Sequence, residues 1–429
     1  MARALGANAR YRMKFETSYG VVATGNFAEL PFVSVTLGEQ QDLIASDLLG
    51  FGRNPQAPGQ DVVNNQGQAV VPVDLRNFGY WLKLVLGAAV SDSQGVAASG
   101  SYVFSAQPTN NSTITIGGTV VTFVTATPTA GQVKIGATLA DTLTNLAAML
   151  NKSADTNLVQ ARYTVDTAFT TLNVVFGAVG TSGNSFTIVA SSSPDSKATA
   201  SGATLAGGSA SGPYNHVFVP GSVALASASG EIAAPEVPSY AMNYGIKGSM
   251  LEIQLQRSGQ LNATVTLIAQ GETLAGSTGA GTPTDMVIER FAQGAGQVLR
   301  DGAPIGSLVS GSIKIDNGLD PVEVIRPDGR IAGADEGIMA ITGSIVVRFD
   351  STALMDLAAA GTPVDLQFGW QISAAKRLLI EVHKVYLPRP QKPVTGPKGV
   401  QATFNFQASE HDTLAKTLTA TLVNDVASY

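Results

Sequence analysis

Phe32-Val33-Ser34-Val35-Thr36-Leu37, followed by Val70-Val71-Pro72-Val73-Asp74, is the stretch that decides the fold, because the chain carries it twice. It returns as Leu308-Val309-Ser310-Gly311-Ser312-Ile313 and Val346-Val347-Arg348-Phe349-Asp350. Phe32 thus matches Leu308 and Asp74 matches Asp350, a constant offset of 276 residues. In each copy the aspartate precedes a short apolar helical stretch that ends at a glycine, Gly87 or Gly361. A unit repeated within one chain predicts an assembly that closes with fewer chains than lobes. It points to assembly, away from chemistry.

Around the first copy we read a strand at Tyr11–Glu16, then a polar segment Gly38–Gly67. That segment exceeds an ordinary connection of about 4–6 residues and predicts an extended hairpin or flap. Strand Ala69–Val73 leads to Asp74 as N-cap of a helix Leu75–Leu86, with Phe78, Trp81, Leu82 and Val85 at helical spacing and Gly87 at the C-terminal stop. Alternating strands Met250–Gln256 and Leu261–Ala269 close the copy. Their pattern matches Ile380–His383 and Val400–Phe406 near the end of the chain, where a Pro-, Lys- and Arg-rich turn, Leu387–Gly399, lies between. Lys314–Ile341 predicts a second flap.

Residues 100–211 differ in character. Four basic residues (Lys134, Lys152, Arg162, Lys197) balance four acidic ones (Asp141, Asp155, Asp166, Asp195), so the net charge of −6 lies on the flanking portions. A hairpin turns at Gly117-Gly118. Thr138 and Asp141 form a capping pair before Leu139, Leu143, Leu146 and Leu150 on one helical face. Strands Ala161–Val165, Leu172–Phe176 and Ser185–Ala190 follow. The Ser/Ala/Gly-rich ends, Gly95–Ser101 and Ala198–Gly212, read as linkers. The expected organisation is mainly β with short helices: duplicated β-barrel or sandwich lobes and an inserted small α+β domain. The first lobe comprises residues 1–99 and 212–272, the insert 100–211, a linker 273–290, and the second lobe 291–429.

The 429 residues are enough for two or three cores. Charged residues make up 14%, low against a typical quarter. An acidic balance offers no basic stripe for phosphates, which argues against tight nucleic-acid binding. With no cysteine there is neither a disulfide nor a thiolate metal site. The N-terminus lacks an apolar export core. The apolar stretch Tyr80–Val90 contains Lys83 and falls short of the roughly 18 residues of a membrane span.

No catalytic constellation emerges. His216, His383 and His411 lie in separate segments without metal-ligand spacing. His383 reads as structural or solvent-facing, and His411-Asp412 as a polar loop pair, since no nucleophile elbow accompanies it. Gly276–Gly281 lacks the Lys-Ser/Thr of a phosphate loop and reads as linker. Asp316–Asp320 has the composition of a calcium loop without its later ligands and reads as a turn. Three Asn-x-Ser/Thr sites, at Asn111, Asn151 and Asn262, carry no weight without a secretion signal. We expect no enzyme, cofactor or metal.

Several segments resemble tail tube proteins of long-tailed (siphovirus-like) bacteriophages and prophages: Phe15–Gly20, Ile44–Gly50, Asn77–Lys83, Leu255–Gly259, Asn317–Asp320, Ile325–Arg330 and Leu422–Tyr429. Ile135–Leu139 and Gly180–Phe186 resemble a small accessory domain common in phage structural proteins. The resemblance implies tail-tube lobes, six to a ring, whose stacked rings form the channel for DNA ejection. With two lobes per chain, it implies trimeric pseudo-hexameric rings, with hexameric rings as the alternative. The implied partners are further copies, other tail proteins such as the tape measure and tail terminator, and DNA in transient, non-specific passage, with no membrane. The implied location is the virion tail, assembled in the bacterial host cytoplasm. The flaps would order on the adjacent lobe or the next ring. A channel should not hold DNA, so neutral or acidic polar walls suit it. The alternating strands offer Glu252, Gln254, Gln256, Asn262, Thr264, Thr266, Glu381, His383, Thr403 and Asn405 as candidate lumen-facing residues. The insert would project outward. Competing readings are another virion ring component (sheath or baseplate), a host-surface binding module carried by the insert, or a glycan hydrolase, which would need a carboxylate pair in a cleft.

Overall fold

A computed structural model describes residues 3–92, 95–209, 213–221, 224–305, 307–349, 351–391 and 399–429. Asp350, the end of the Ala198–Gly212 stretch and most of the Leu387–Gly399 turn lie outside the described residues. The chain is mainly β with three α-helices among the described residues, and its sheets do not close into a barrel.

In chain order the first part contains β1 (Arg10–Phe15), β2 (Ala28–Leu30), β3 (Ser34–Val35), β4 (Glu39–Ile44), β5 (Gly59–Pro72), α1 (Phe78–Leu86) and β6 (Val90–Asp92). Next come β7 (Ala97–Phe104), β8 (Thr113–Ile116), β9 (Thr119–Val124), β10 (Gln132–Lys134), α2 (Leu139–Asn151), β11 (Ala161–Val165), β12 (Thr171–Val179), β13 (Ile188–Ala190) and β14 (Ala198–Ala200). The chain continues with β15 (Tyr214–Phe218), β16 (Ala228–Ala234), β17 (Ser239–Leu255), β18 (Asn262–Ile268), β19 (Gly271–Ala275) and β20 (Thr284–Asp285). The last part holds β21 (Gly296–Arg300), β22 (Ala303–Pro304), β23 (Leu308–Asp316), β24 (Asp320–Val322), β25 (Gly333–Asp335), β26 (Ala340–Arg348), α3 (Ala353–Ala360), β27 (Val364–Ser373), β28 (Lys376–Tyr386), β29 (Gln401–Ala408) and β30 (Leu418–Asn424).

Strands before and after β20 have matching neighbours. Ser34 pairs with Val70 as Ser310 pairs with Val346, and Ala263 pairs with Val71 as Ala402 pairs with Val347. Ile246 pairs with Ala228 as Val385 pairs with Val364. By these partners the counterpart of Leu251 is Pro390, not Ile380 as the pattern suggested. The pattern followed apolar spacing, which a slip of an even number of residues preserves.

The pair β17–β23, from Met250↔Asp316 to Leu255↔Gly311, joins the two parts. The result is one continuous sheet, β3–β5–β18–β17–β23–β26–β29. Its apolar face buries Ala69, Val71, Ile253, Val265, Ile313, Ile345 and Phe404 in a core shared by both parts. Behind that core run the strand series β2–β1–β16–β17–β19 and β22–β21–β27–β28–β30.

Helix α1 begins at Phe78, three residues later than expected. Asp74 still serves its first turn: it is fully buried and accepts from the Phe78 amide (2.8 Å) and the Asn77 amide group (2.6 Å). Burial pushes its carboxyl up to about 6, although those bonds oppose the shift. A raised folded-state pKa penalises the charged form, so stability should rise as the pH falls from 7 through 6 toward 4. The gain approaches about 3 kcal/mol. Denaturant unfolding of wild type and Asp74→Asn at several pH values checks this; the variant should lack that gain.

The strands β7–β14 form two four-stranded sheets, β10–β9–β8–β13 and β11–β12–β7–β14. They pack with α2 around a second hydrophobic cluster that includes Tyr102, Phe123, Leu146 and Tyr163. The capping box at Thr138 and Asp141 forms as read. The linker reading is corrected for Ala97–Ser101 and Ala198–Ala200, because these residues are paired strands. Their small side chains serve close packing: a Cβ on Gly100 would lie 2.8 Å from Ile188 and Leu205 atoms.

Candidate functional site

The polar side of the seven-strand sheet is an extended surface to which both parts of the chain contribute. Residues directly opposite across a ladder share a face, and alternate residues share it along a strand. Thr264 lies opposite Val70 and Glu252, Glu252 opposite Lys314, Lys314 opposite Thr342, and Thr342 opposite Gln407. Gln254, Ser312, Ser344 and Asn405 form the adjoining row. The Ser312 and Ser344 hydroxyls bond at 2.9 Å, and Gln254 donates to Glu252 at 2.8 Å. Lys314 is paired with Asp316 at 3.2 Å. Between Met250–Gln256 and its paired strands the charges nearly cancel, and amide and hydroxyl groups dominate.

Of the residues singled out from the sequence, Glu252, Gln254, Asn262, Thr264, Thr266, Thr403 and Asn405 lie on this one face. Gln256 lies just beyond the end of β17, exposed, its amide bonded to Gln293. Asn262, at the sheet's end, accepts from Arg290 at 2.6 Å. Sequence reading missed the face's continuation through Ser312, Lys314, Thr342 and Ser344. The signal was available, because Ser310, Ser312, Lys314 and Asp316 alternate with Gly311, Ile313 and Ile315.

Glu381 and His383 lie apart from that face. They lie on β28, in the strand series behind the core, beneath β11. Arg162 of β11 reaches Glu381 at 2.7 Å and Asp365 at 2.9 Å. His383, nearly buried, bonds the Thr419 hydroxyl at 2.8 Å and stands 3.7 Å from Asp365. Burial pushes the Asp365 carboxyl up, but the Arg162 charge, the facing His383 ring and the Arg162 bond outweigh it. The carboxyl therefore stays below its ordinary range. Burial likewise weakens the Arg162 cation, and the Asp365 and Glu381 charges more than restore it. Asn151 and Lys152 add contacts to the Asp301 turn. Residues 100–209 are thus seated on the last part of the chain by half-buried ion pairs, beside a cleft of about 580 Å³.

Other polar candidates resolve as structure. His216 bonds Ser91 and Asn424, and burial lowers its pKa. His411 accepts from the Thr413 and Leu414 amides, while Asp412 pairs with Lys384. Asn317, read only as part of a turn, is buried and donates to the Val85 and Gly248 carbonyls, both at 2.8 Å. Its Asn-Gly context signals a turn and masks that anchoring role. Among the described residues no group of three or more His, Asp or Glu is placed to hold a metal ion, and no helix is long and apolar enough to cross a membrane.

A family model described as phage tail tube protein matches residues 6–408. No curated protein matches the chain.

Proposed function

The chain belongs to the phage tail tube protein family, and from that premise we propose that its copies close into rings whose lumen is lined by the polar face of the continuous sheet. The family is structural, not enzymatic, and makes the chain a virion tail component that self-assembles into a tube with other tail proteins.

The observation that carries the proposal is the β17–β23 ladder. It links two lobes with matching strand neighbours while keeping Glu252, Gln254, Ser312 and Lys314 on one side. We read the lobes as an internal duplication. Repeating that junction between chains extends the sheet in one rotational sense and closes it as a ring. Three chains then supply six lobes, in a trimeric, pseudo-six-fold ring. The edges among the described residues favour this: β3 has two residues, and β29 is paired on its outer side at Gln407 and Ala408. Open edges of this kind are a liability in a monomer and are satisfied by closure.

DNA would pass along the amide- and hydroxyl-rich face during ejection, with few cations to hold phosphate. Tape measure and terminator proteins would meet the same tube inside and at its end, and assembly would occur in the host cytoplasm. Residues 100–209 sit on the strand series behind the core, which supports an outward position for the insert.

The test is the variant Glu252→Lys, Gln254→Lys, Thr264→Lys. All three positions are outside the core, so tubes should still assemble. Each ring would gain many phosphate contacts, and we expect ejected DNA to fall at least about tenfold at low salt, with partial recovery at high salt. Normal ejection from assembled variant tubes would remove these residues from the lumen.

A further inference from the structure

The two flaps have the same hairpin register but not the same surroundings. Ile44 pairs with Gly59 and Asp320 with Asp335, which are equivalent pairs at the 276-residue offset. The second flap, rooted at Asn317, lies across the first lobe. Asn317 reaches the Val85 carbonyl at the end of α1. Arg330 forks onto Glu39 at 2.5 and 3.0 Å, and the Ala332 carbonyl accepts from Gln270 at 3.0 Å. Lys247 donates to the Ala334 carbonyl at 2.7 Å and to Glu336 at 2.6 Å.

The base of the first flap meets the second at Glu39–Arg330 and at Val63, whose amide donates to the Gly329 carbonyl at 3.0 Å, but its tip has no such cover among the described residues. Among the described residues, hydrogen bonds from residues 40–62 stay within the hairpin. Leu48, Leu49 and Phe51 at its tip are 62%, 92% and 58% exposed. The surface that would correspond to its seat is more exposed among the described residues. Helix α3, the counterpart of α1, has no buried residue, whereas α1 buries seven. By pairing register Lys247 corresponds to Tyr386 and Gln270 to Lys416. Tyr386 is 40% exposed and Leu414, two residues before Lys416, 38%. An apolar hairpin tip and a half-covered helix on one chain are two faces of a contact that chain cannot make with itself.

We propose that the first flap lies across the second lobe of a neighbouring copy in the same ring, as the second flap lies across the first lobe of its own chain. This rests on the reading of two lobes per chain in a closed ring. The occupant of the α3–Tyr386–Lys416 surface is then the Leu48–Phe51 hairpin of a second copy, and the contact is heterologous. Transferring the Gln270–Ala332 contact by the same offsets brings Gln56 of one chain to Lys416 of the next.

The absence of cysteine makes disulfide trapping direct. Assembled Gln56→Cys, Lys416→Cys protein, mildly oxidised, should run on a denaturing gel as a ladder ending at a closed three-chain species. The control Gln270→Cys, Ala332→Cys should bridge within a single chain. Rings visible by electron microscopy, with the control bridged but the test pair unlinked, would overturn the flap contact and leave the ring intact. Failure of the unsubstituted protein to form rings would overturn both. As a second measurement, Leu48→Ser, Leu49→Ser, Phe51→Ser should leave monomer melting unchanged and abolish rings; rings of normal yield would count against the contact.

Discussion

Replacing Arg162 with alanine is expected to weaken the seat of the insert by about 3–5 kcal/mol, the range for breaking a buried ion pair from one side. The cost arises from what remains. Asp365 and Glu381 keep side-chain exposures of only 11% and 12%, and Arg162 is the cation held against both at ion-pair distance. Arg162 itself is 25% exposed, so water screens part of the loss and the lower end of the range is expected. Differential scanning calorimetry should show the transition of residues 100–211 moving down and separating from that of the body. Proteolysis should open β11 first. The companion Arg162→Met, Asp365→Asn, Glu381→Gln should recover most of the loss, because it removes the stranded charges along with their partner. The sign of the pH dependence is also determined. The Asp365 carboxyl lies below its ordinary 3.8, so its stabilisation is complete above that value and disappears as the pH falls through the depressed pKa. Wild type and Arg162→Ala should therefore converge in strong acid. An unchanged melting profile at neutral pH would reduce the cluster to a solvent-screened contact.

That interface also marks the boundary of what the sequence disclosed. Local signals were legible: Thr138 and Asp141 as a capping box, Gly117-Gly118 as a hairpin turn, and alternation in 261–269 as a half-buried strand. These depend on neighbours within a few residues. Parity also separated the polar from the apolar side of β17, but parity cannot say what covers a face. Glu381 and His383 have the same alternation as Glu252 and Gln254, and only tertiary packing puts Arg162 over one pair and solvent over the other. The length of β17 was hidden for a different reason. Gly248 interrupts the apolar pattern, and the strand reading stopped at Met250, yet the strand runs from Ser239. The glycine is required because a Cβ there would meet Val85 of α1 at 2.7 Å. Composition misled in the same way at Ala97–Ser101, where small residues indicate tight packing rather than flexibility.

The face assignment itself can be tested within one strand, at the junction where the largest loss in the body is expected. Ile253 and Ile313 stand opposite each other in the β17–β23 ladder, each 1% exposed, while Gln254 and Ser312 stand opposite on the other side of the same strands. Ile253→Ala should cost about 2–5 kcal/mol, because it removes buried methyl groups and leaves a cavity between elements that cannot collapse together. Gln254→Ala, one residue along, should change stability by less than about 0.5 kcal/mol. The double variant Ile253→Ala, Ile313→Ala should lose less than the sum of its singles, since both line one cavity. The consequence extends beyond stability, because these two side chains sit in a ladder that joins the lobes, β17–β23, the lobes being joined also by β15–β30. If the ladder is what sets the angle between lobes, Ile253→Ala monomers that remain folded should assemble into rings of irregular curvature, visible as tubes of uneven diameter. Gln254→Ala tubes should be uniform. Equal stability losses at 253 and 254 would mean that the polar side of β17 is covered too, and the lumen would have to be sought on another surface.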